Sequence, residues 1–226
     1  MNQPDLRSRD QTILDAVVRY RLMTHQTLQR LVLPNLSLNA ISKVTARLCR
    51  TQRLSRHLLI PPENYFRLGA TGSSILGQSS RSKNPLGPQA LPIDYATLCY
   101  CCLFDQKRRR LTQDELETYM PWLPEQLTHS PFCVDSINRL NLVRVDLGGS
   151  AQYVARKISR SIEKYQVVVE FNDMIAGGRF QISLLTTSEE KADAIAKSVA
   201  STGCPANVPV NLSVIPRLSL LLLQRL

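Results

Sequence analysis

Asn39, Ser42, Lys43, Arg47 and Arg50 stand at helical spacing in the stretch LNAISKVTARLCR. Their chemistry is that of hydrogen-bond donors and fixed charge. An Asn amide pairs bidentately with adenine and an Arg guanidinium with guanine, while Lys and Arg also neutralise phosphate. Lys43, Arg47 and Arg50 sit at i, i+4 and i+7 and form one stripe. Asn39 and Ser42 lie near the start of the same helix, the part that usually reaches base edges. Arg53, Arg56, His57 and Arg67 follow in or beside a strand-like hairpin, placed for phosphates or a minor groove.

Other chemistries find less support. The cysteines are Cys49, Cys99, Cys101, Cys102, Cys133 and Cys204, with no CxxC pair, and His25, His57 and His129 stand apart. This is not the spacing of a zinc site, and the expectation is no metal and no cofactor. Gly148 and Gly149, and Gly177 and Gly178, read as turns rather than a phosphate loop, and no Ser/His/Asp arrangement is present.

The charge distribution sharpens the first reading. The chain has 28 Lys and Arg against 18 Asp and Glu, a net +10. Residues 1–77 hold 11 basic and 4 acidic residues, or +7; residues 78–131 sum to zero and residues 132–226 to +3. No acid occurs between Asp15 and Glu63. A merely solvated face mixes both signs, so a single-sign stretch points to a polyanion.

The elements needed to position these residues are legible. Asp10 is placed to cap a first helix with Ile13, Leu14, Val17 and Val18 on its apolar face. Thr24 caps a second, which buries Leu28, Leu31 and Val32 and ends at Pro34 and Asn35; Ser37 caps a third, which buries Ile41, Val44 and Leu48. Strand-like runs at Leu54 to Ile60 and Tyr65 to Gly69 follow, with PPEN as the turn, then a small helix from Thr71 to Leu76. Three helices and a hairpin in this order predict a winged helix-turn-helix domain over residues 1–78. Ser79 to Pro92, rich in Ser, Pro and Gly, reads as a linker.

Residues 93–226 read as a small α/β domain, so the whole chain is α+β. Ile93 to Phe104 is a buried helix carrying the cysteine cluster, and KRRR (Lys107 to Arg110) a solvated loop. Thr112 caps a helix to Met120, with Glu115 completing a capping box. Strands are expected at Phe132 to Ile137, Leu142 to Leu147, Phe180 to Thr187 and Val210 to Ile215. Helices are expected at Gln152 to Lys164 and after the cap Ser188, and the tail LSLLLLQRL is a buried terminal helix or strand.

TILDAVVRYRLMTHQTLQRLVLP, SKVTARLCRTQRLSRH and YFRLGATGSSIL together resemble the winged-helix segment of the replication-relaxation family, with Leu22, Thr24, Leu28, Leu48, Tyr65, Leu68, Gly72 and Leu76 in its pattern. The resemblance implies a DNA-binding protein of plasmids and mobile elements. It further implies a C-terminal nuclease-like domain of the PD-(D/E)xK type, whose acids and Lys converge on Mg²⁺. Asp135 and Asp146 fall on the expected strands, but Gly148 takes the Lys position, and a register shift puts Arg144 in place of the acid. The domain therefore reads as catalytically degenerate, with the aspartates ending strands or pairing Arg139 and Arg144.

The expected function is double-stranded DNA binding, as a transcriptional regulator or as an accessory in plasmid or mobile-element replication or DNA processing. The expected partners are DNA, a second copy in a homodimer, and other DNA-processing proteins. A metal-dependent nuclease and a protein-interaction scaffold are the rivals. The start MNQPDLRSRDQ has no apolar signal core, and no apolar run spans a membrane, so a cytoplasmic protein is expected.

Overall fold

Apolar residues at 3.6 spacing build the three N-terminal helices, and the computed structural model shows where their faces go. It describes residues 8–102, 104, 106–125, 129–202 and 208–224. Cys204 and Leu103 lie outside the described residues, as do Met1 to Arg7, Arg225 and Leu226. The chain divides into two units, Met1–Leu98 and Cys99–Leu226, and the division falls inside one helix, Ala90–Cys102.

In the first unit α1 (Ser8–Tyr20) buries Ile13, Leu14 and Val17. Asp10 is not its cap. It lies inside the first turn and is fully buried. Helix α2 (His25–Leu31) opens on a reciprocal box: the Thr24 hydroxyl accepts from Thr27 N at 3.2 Å, and Thr24 N donates to the Thr27 hydroxyl at 2.8 Å. Helix α3 (Leu38–Arg50) is capped by Ser37, whose Oγ accepts from Ala40 N, and it buries Ile41, Val44 and Leu48 as its spacing requires.

Strands β1 (Leu54–Ile60) and β2 (Glu63–Leu68) pair antiparallel, with Leu54 opposite Leu68 and His57 opposite Tyr65. Met23 adds a bridge to Phe66. Helix α4 (Ala70–Ile75) follows directly. Its approach depends on Gly69 and Gly72, where a Cβ would strike the Gln52 and Arg53 carbonyls.

The segment expected to be a linker is irregular from residue 84 to residue 89, but it is held against the hairpin. Ser80–Lys83 forms a 3-10 turn, and three hydrogen bonds tie Lys83, Asn84 and Leu86 to the hairpin. His57 Nε2 lies 3.1 Å from the Lys83 carbonyl, Arg67 Nη1 donates to the Asn84 carbonyl, and Leu86 N donates to the Tyr65 hydroxyl at 2.9 Å. Helix α5 (Ala90–Cys102) then begins two residues before the expected linker ends. Composition suggested a tether because the segment has no apolar periodicity. Its attachment comes from backbone groups, the Lys83 and Asn84 carbonyls and the Leu86 amide, which composition does not report.

The second unit is built on a five-stranded sheet of order β3-β4-β5-β6-β7. The strands are β3 (Arg108–Arg110), β4 (Phe132–Asp135), β5 (Leu140–Val145), β6 (Phe180–Thr186) and β7 (Val210–Val214). The first two pairings are antiparallel and the last two parallel. Parallel neighbours need helical crossovers. They are α7 (Ala151–Gln166) with α8 (Val169–Ala176), and then α9 (Glu189–Ser201). The short α8 has no counterpart in the sequence reading.

Strand β6 is buried on both faces. One face of the sheet, with Phe180, Ile182 and Leu184, joins Val154, Ile158, Ile162 and Tyr165 of α7 in the apolar core. The other carries a buried polar cluster: the Tyr100 hydroxyl of α5 donates to Asn141 Oδ1 at 2.9 Å and lies 2.7 Å from Ser183 Oγ. Helix α6 (Gln113–Tyr119) carries the expected box between Thr112 and Glu115. A final helix, α10 (Leu218–Leu223), buries Leu218 and Leu221. No helix among the described residues is long and apolar enough to cross a membrane.

KRRR is not a solvated loop. Arg108 and Arg110 alternate inward along β3 and are buried. Arg108 stacks over the Tyr100 ring at 4.1 Å, and Arg109 pairs with Glu115.

Candidate nucleic-acid interface

Burying one face of α3 fixes what the other face shows. Asn39, Ser42, Lys43, Ala46 and Arg50 are all exposed. They fall at i, i+3, i+4, i+7 and i+11, one continuous surface. Thr45, beside them, turns inward. Its hydroxyl lies 2.9 Å from His25 Nε2, so α2 and α3 are pinned by a polar contact as well as by apolar packing. Burial holds the His25 imidazole below its usual range, with the Arg56 charge adding to the effect.

Arg47 does not share this surface. Its Nη2 donates to Asp10 Oδ1 at 2.6 Å. Arg53 Nη1 stands 3.6 Å from Asp10 Oδ2 and Arg9 Nε 4.0 Å from Oδ1. A buried carboxylate demands such partners. The helical stripe of Lys43, Arg47 and Arg50 is therefore corrected: Ala46 takes the central place, and Arg47 and Arg53 are committed to holding α1 against α3 and β1. Their spacing alone could not show this, because their partner lies 37 residues from Arg47.

Arg56 is exposed on β1. His57 and Arg67, by contrast, share the face of the hairpin that carries the segment after α4. Besides the Lys83 carbonyl, His57 Nε2 lies 3.0 Å from Ser55 Oγ. Burial lowers its pKa; the Lys83 contact raises it in part, and Arg67 lowers it. Arg67 also donates from Nε to the Arg21 carbonyl at 3.3 Å. Both residues present backbone anchors rather than open charge. What they anchor brings two further cations to the hairpin, Arg81 and Lys83, both exposed. Sequence reasoning passed over these two because they lie in the Ser- and Pro-rich stretch.

The electrostatics of this unit are one-sided. From residue 8 to residue 98 there are twelve Lys and Arg and four acids. Two of the acids, Asp10 and Asp94, are buried and ion-paired, Asp94 with Arg21 at 3.4 Å. Asp15 on α1 and Glu63 at the hairpin turn are the exposed ones. Among the described residues no carboxylate pairs with Lys43, Arg50, Arg56, Arg81 or Lys83.

In the second unit Asp135 and Asp146 do not meet. Asp135 ends β4; its Oδ1 accepts from Ile137 N and Arg139 N, and its Oδ2 lies 3.5 Å from Arg139 Nε. Asp146 follows the far end of β5, where it accepts from Gly148 N at 3.0 Å and from the Thr186 hydroxyl at 3.3 Å. Its cation is Lys191 at 3.6 Å rather than Arg144, which instead reaches Ser130. At the strand rise, the length of β5 holds the two carboxyls about 20 Å apart. No group of three or more His, Cys, Asp or Glu able to hold a metal occurs among the described residues. Cys101 and Cys133 bring their sulfurs to 3.4 Å in the core, where that contact and burial push the Cys101 thiol well up.

Comparison with known proteins finds no family model, no curated protein and no solved structure that matches this chain.

Proposed function

We propose that the chain binds double-stranded DNA through its N-terminal unit, read as a winged helix-turn-helix with α3 as the recognition helix and β1–β2 as the wing. One observation carries this reading: the exposed face of α3 bears Asn39, Ser42, Lys43 and Arg50 and not one carboxylate. A helix in the major groove needs short polar groups near its start for base edges, and cations further along for phosphates. Ala46, in the middle of the face, is small enough for close approach and suits a thymine methyl. Arg56, Arg81 and Lys83 extend the positive surface to the wing.

The aspartates support a non-catalytic second unit, since each is engaged at its own end of β5. An accessory role in plasmid or mobile-element DNA processing rests on the family resemblance, and a regulator fits the same residues. The test is a titration of random-sequence duplex with the full chain, wild type against Lys43→Ala/Arg50→Ala. The variant is expected to lose about 2 kcal/mol or more of binding free energy with unchanged thermal stability. Equal affinity for both proteins removes α3 from the interface.

A further inference from the structure

The amphipathic helix α7 in the second unit has an apolar face fully used. Val154, Ala155, Ile158, Ile162 and Tyr165 are buried. Its opposite face shows Arg156, Lys157, Arg160 and Lys164, all exposed, with Glu163 as the acid among them. These cations fall at i, i+1, i+4 and i+8, one stripe about 12 Å long.

Most cations elsewhere in this unit are engaged. Arg108 stacks on Tyr100, Arg109 meets Glu115, Arg139 meets Asp135 and Lys191 meets Asp146. Among the described residues, none of the four on α7 pairs with a carboxylate, although Glu189, Glu190 and Asp193 stand in the first turns of α9, the helix packed against it. The unit as a whole is nearly neutral, so this is a local excess of positive charge. A duplex offers one phosphate per about 3.4 Å of axis on each strand, so the stripe spans about three or four phosphates. A membrane surface fits worse, because a helix lying on lipid inserts its apolar face, and that face is in the core.

We infer that the Arg156/Lys157/Arg160/Lys164 face of α7 is a second contact surface for the phosphate backbone of nucleic acid, independent of sequence. It rests on the reading that this chain binds duplex DNA, but on different residues. The test measures binding of random duplex by the full chain at a series of salt concentrations. The proteins are wild type, Arg156→Gln/Lys157→Gln/Arg160→Gln/Lys164→Gln, the swap Arg156→Lys/Lys157→Arg/Arg160→Lys/Lys164→Arg, and Lys43→Ala/Arg50→Ala. The Gln variant is expected to lower the slope of log K against log salt by about 3, with binding at least about tenfold weaker in dilute salt. The swap is expected to restore both, and thermal unfolding reports that each variant folds.

An unchanged slope in the Gln variant, with a reduced one in Lys43→Ala/Arg50→Ala, overturns the α7 surface and leaves the α3 reading standing. The reverse pattern keeps α7 and removes α3. Absence of duplex binding by the wild type overturns both. Binding to phosphatidylglycerol vesicles that the Gln variant loses, with duplex binding intact, assigns the stripe to lipid and overturns the inference.

Discussion

Arg47 Nη2 donates to Asp10 Oδ1 at 2.6 Å, joining the third helix to the first turn of the first. Asp10 has no exposed surface, while the Arg47 side chain is 34% exposed and that of Arg53 15%. The carboxylate is thus the centre of the arrangement, and the two arginines are its solvation. A residue with the type and spacing of a DNA contact is occupied in fixing the helix that carries the other candidate contacts.

Removing Asp10 strands two guanidinium groups. Asp10→Ala is expected to cost about 3 kcal/mol of stability, the low end for breaking a buried pair, because water reaches part of Arg47. Arg47→Ala also destabilises, since it leaves the buried carboxylate with Arg53 and Arg9. The double variant is expected to lose less than the sum of the two. Urea unfolding of the four proteins measures this cycle; additivity within about 0.5 kcal/mol would show that the two residues are not coupled.

Gly72 is a steric requirement. A methyl group there meets the Arg53 carbonyl, which is backbone and cannot swing away. Gly72→Ala is expected to destabilise the N-terminal unit by about 1–3 kcal/mol, the usual range for overpacking. Gly87, whose added Cβ meets nothing, is the control, and Gly87→Ala is expected to leave the unfolding midpoint nearly unchanged. Equal shifts for the two variants would refute the packing argument.

His25 and His57 give the fold a pH dependence. Burial, the leading cause at both, holds their imidazoles below the usual value of 6.5. The unfolded chain therefore binds protons first as pH falls through that value, and the stability present above it is lost on the acid side. Unfolding free energy is expected to decline from about pH 7 to pH 5, with a shallower decline in His25→Gln/His57→Gln. Parallel profiles for the two proteins would mean that these imidazoles do not report on folding.

The elements were legible where a local rule determines them. Ser37 and Thr24 cap because their hydroxyls meet the backbone three residues on, and Ile41, Val44 and Leu48 go inward because 3.6 spacing puts them on one side. What was not legible depends on distant partners. Arg47 and Arg53 turn to Asp10, His57 and Arg67 turn to carbonyls beyond Arg81, and Arg108 and Arg110 become a buried strand by pairing with β4. Asp135 and Asp146 fall on or beside successive strands, and their separation is set by how those strands pair. Antiparallel pairing of β4 and β5 put one at the turn and the other at the opposite end.

Ser42 is exposed on the polar face of α3, near the helix start, where the proposed DNA contact is most directly probed. Benzoylphenylalanine placed at Ser42, and separately at Asp15 on α1, allows photo-crosslinking of the full chain to random duplex. A crosslink from position 42 well above that from position 15 is the predicted result. A crosslink from position 15 with none from position 42, in proteins that bind the duplex equally well, would contradict the account.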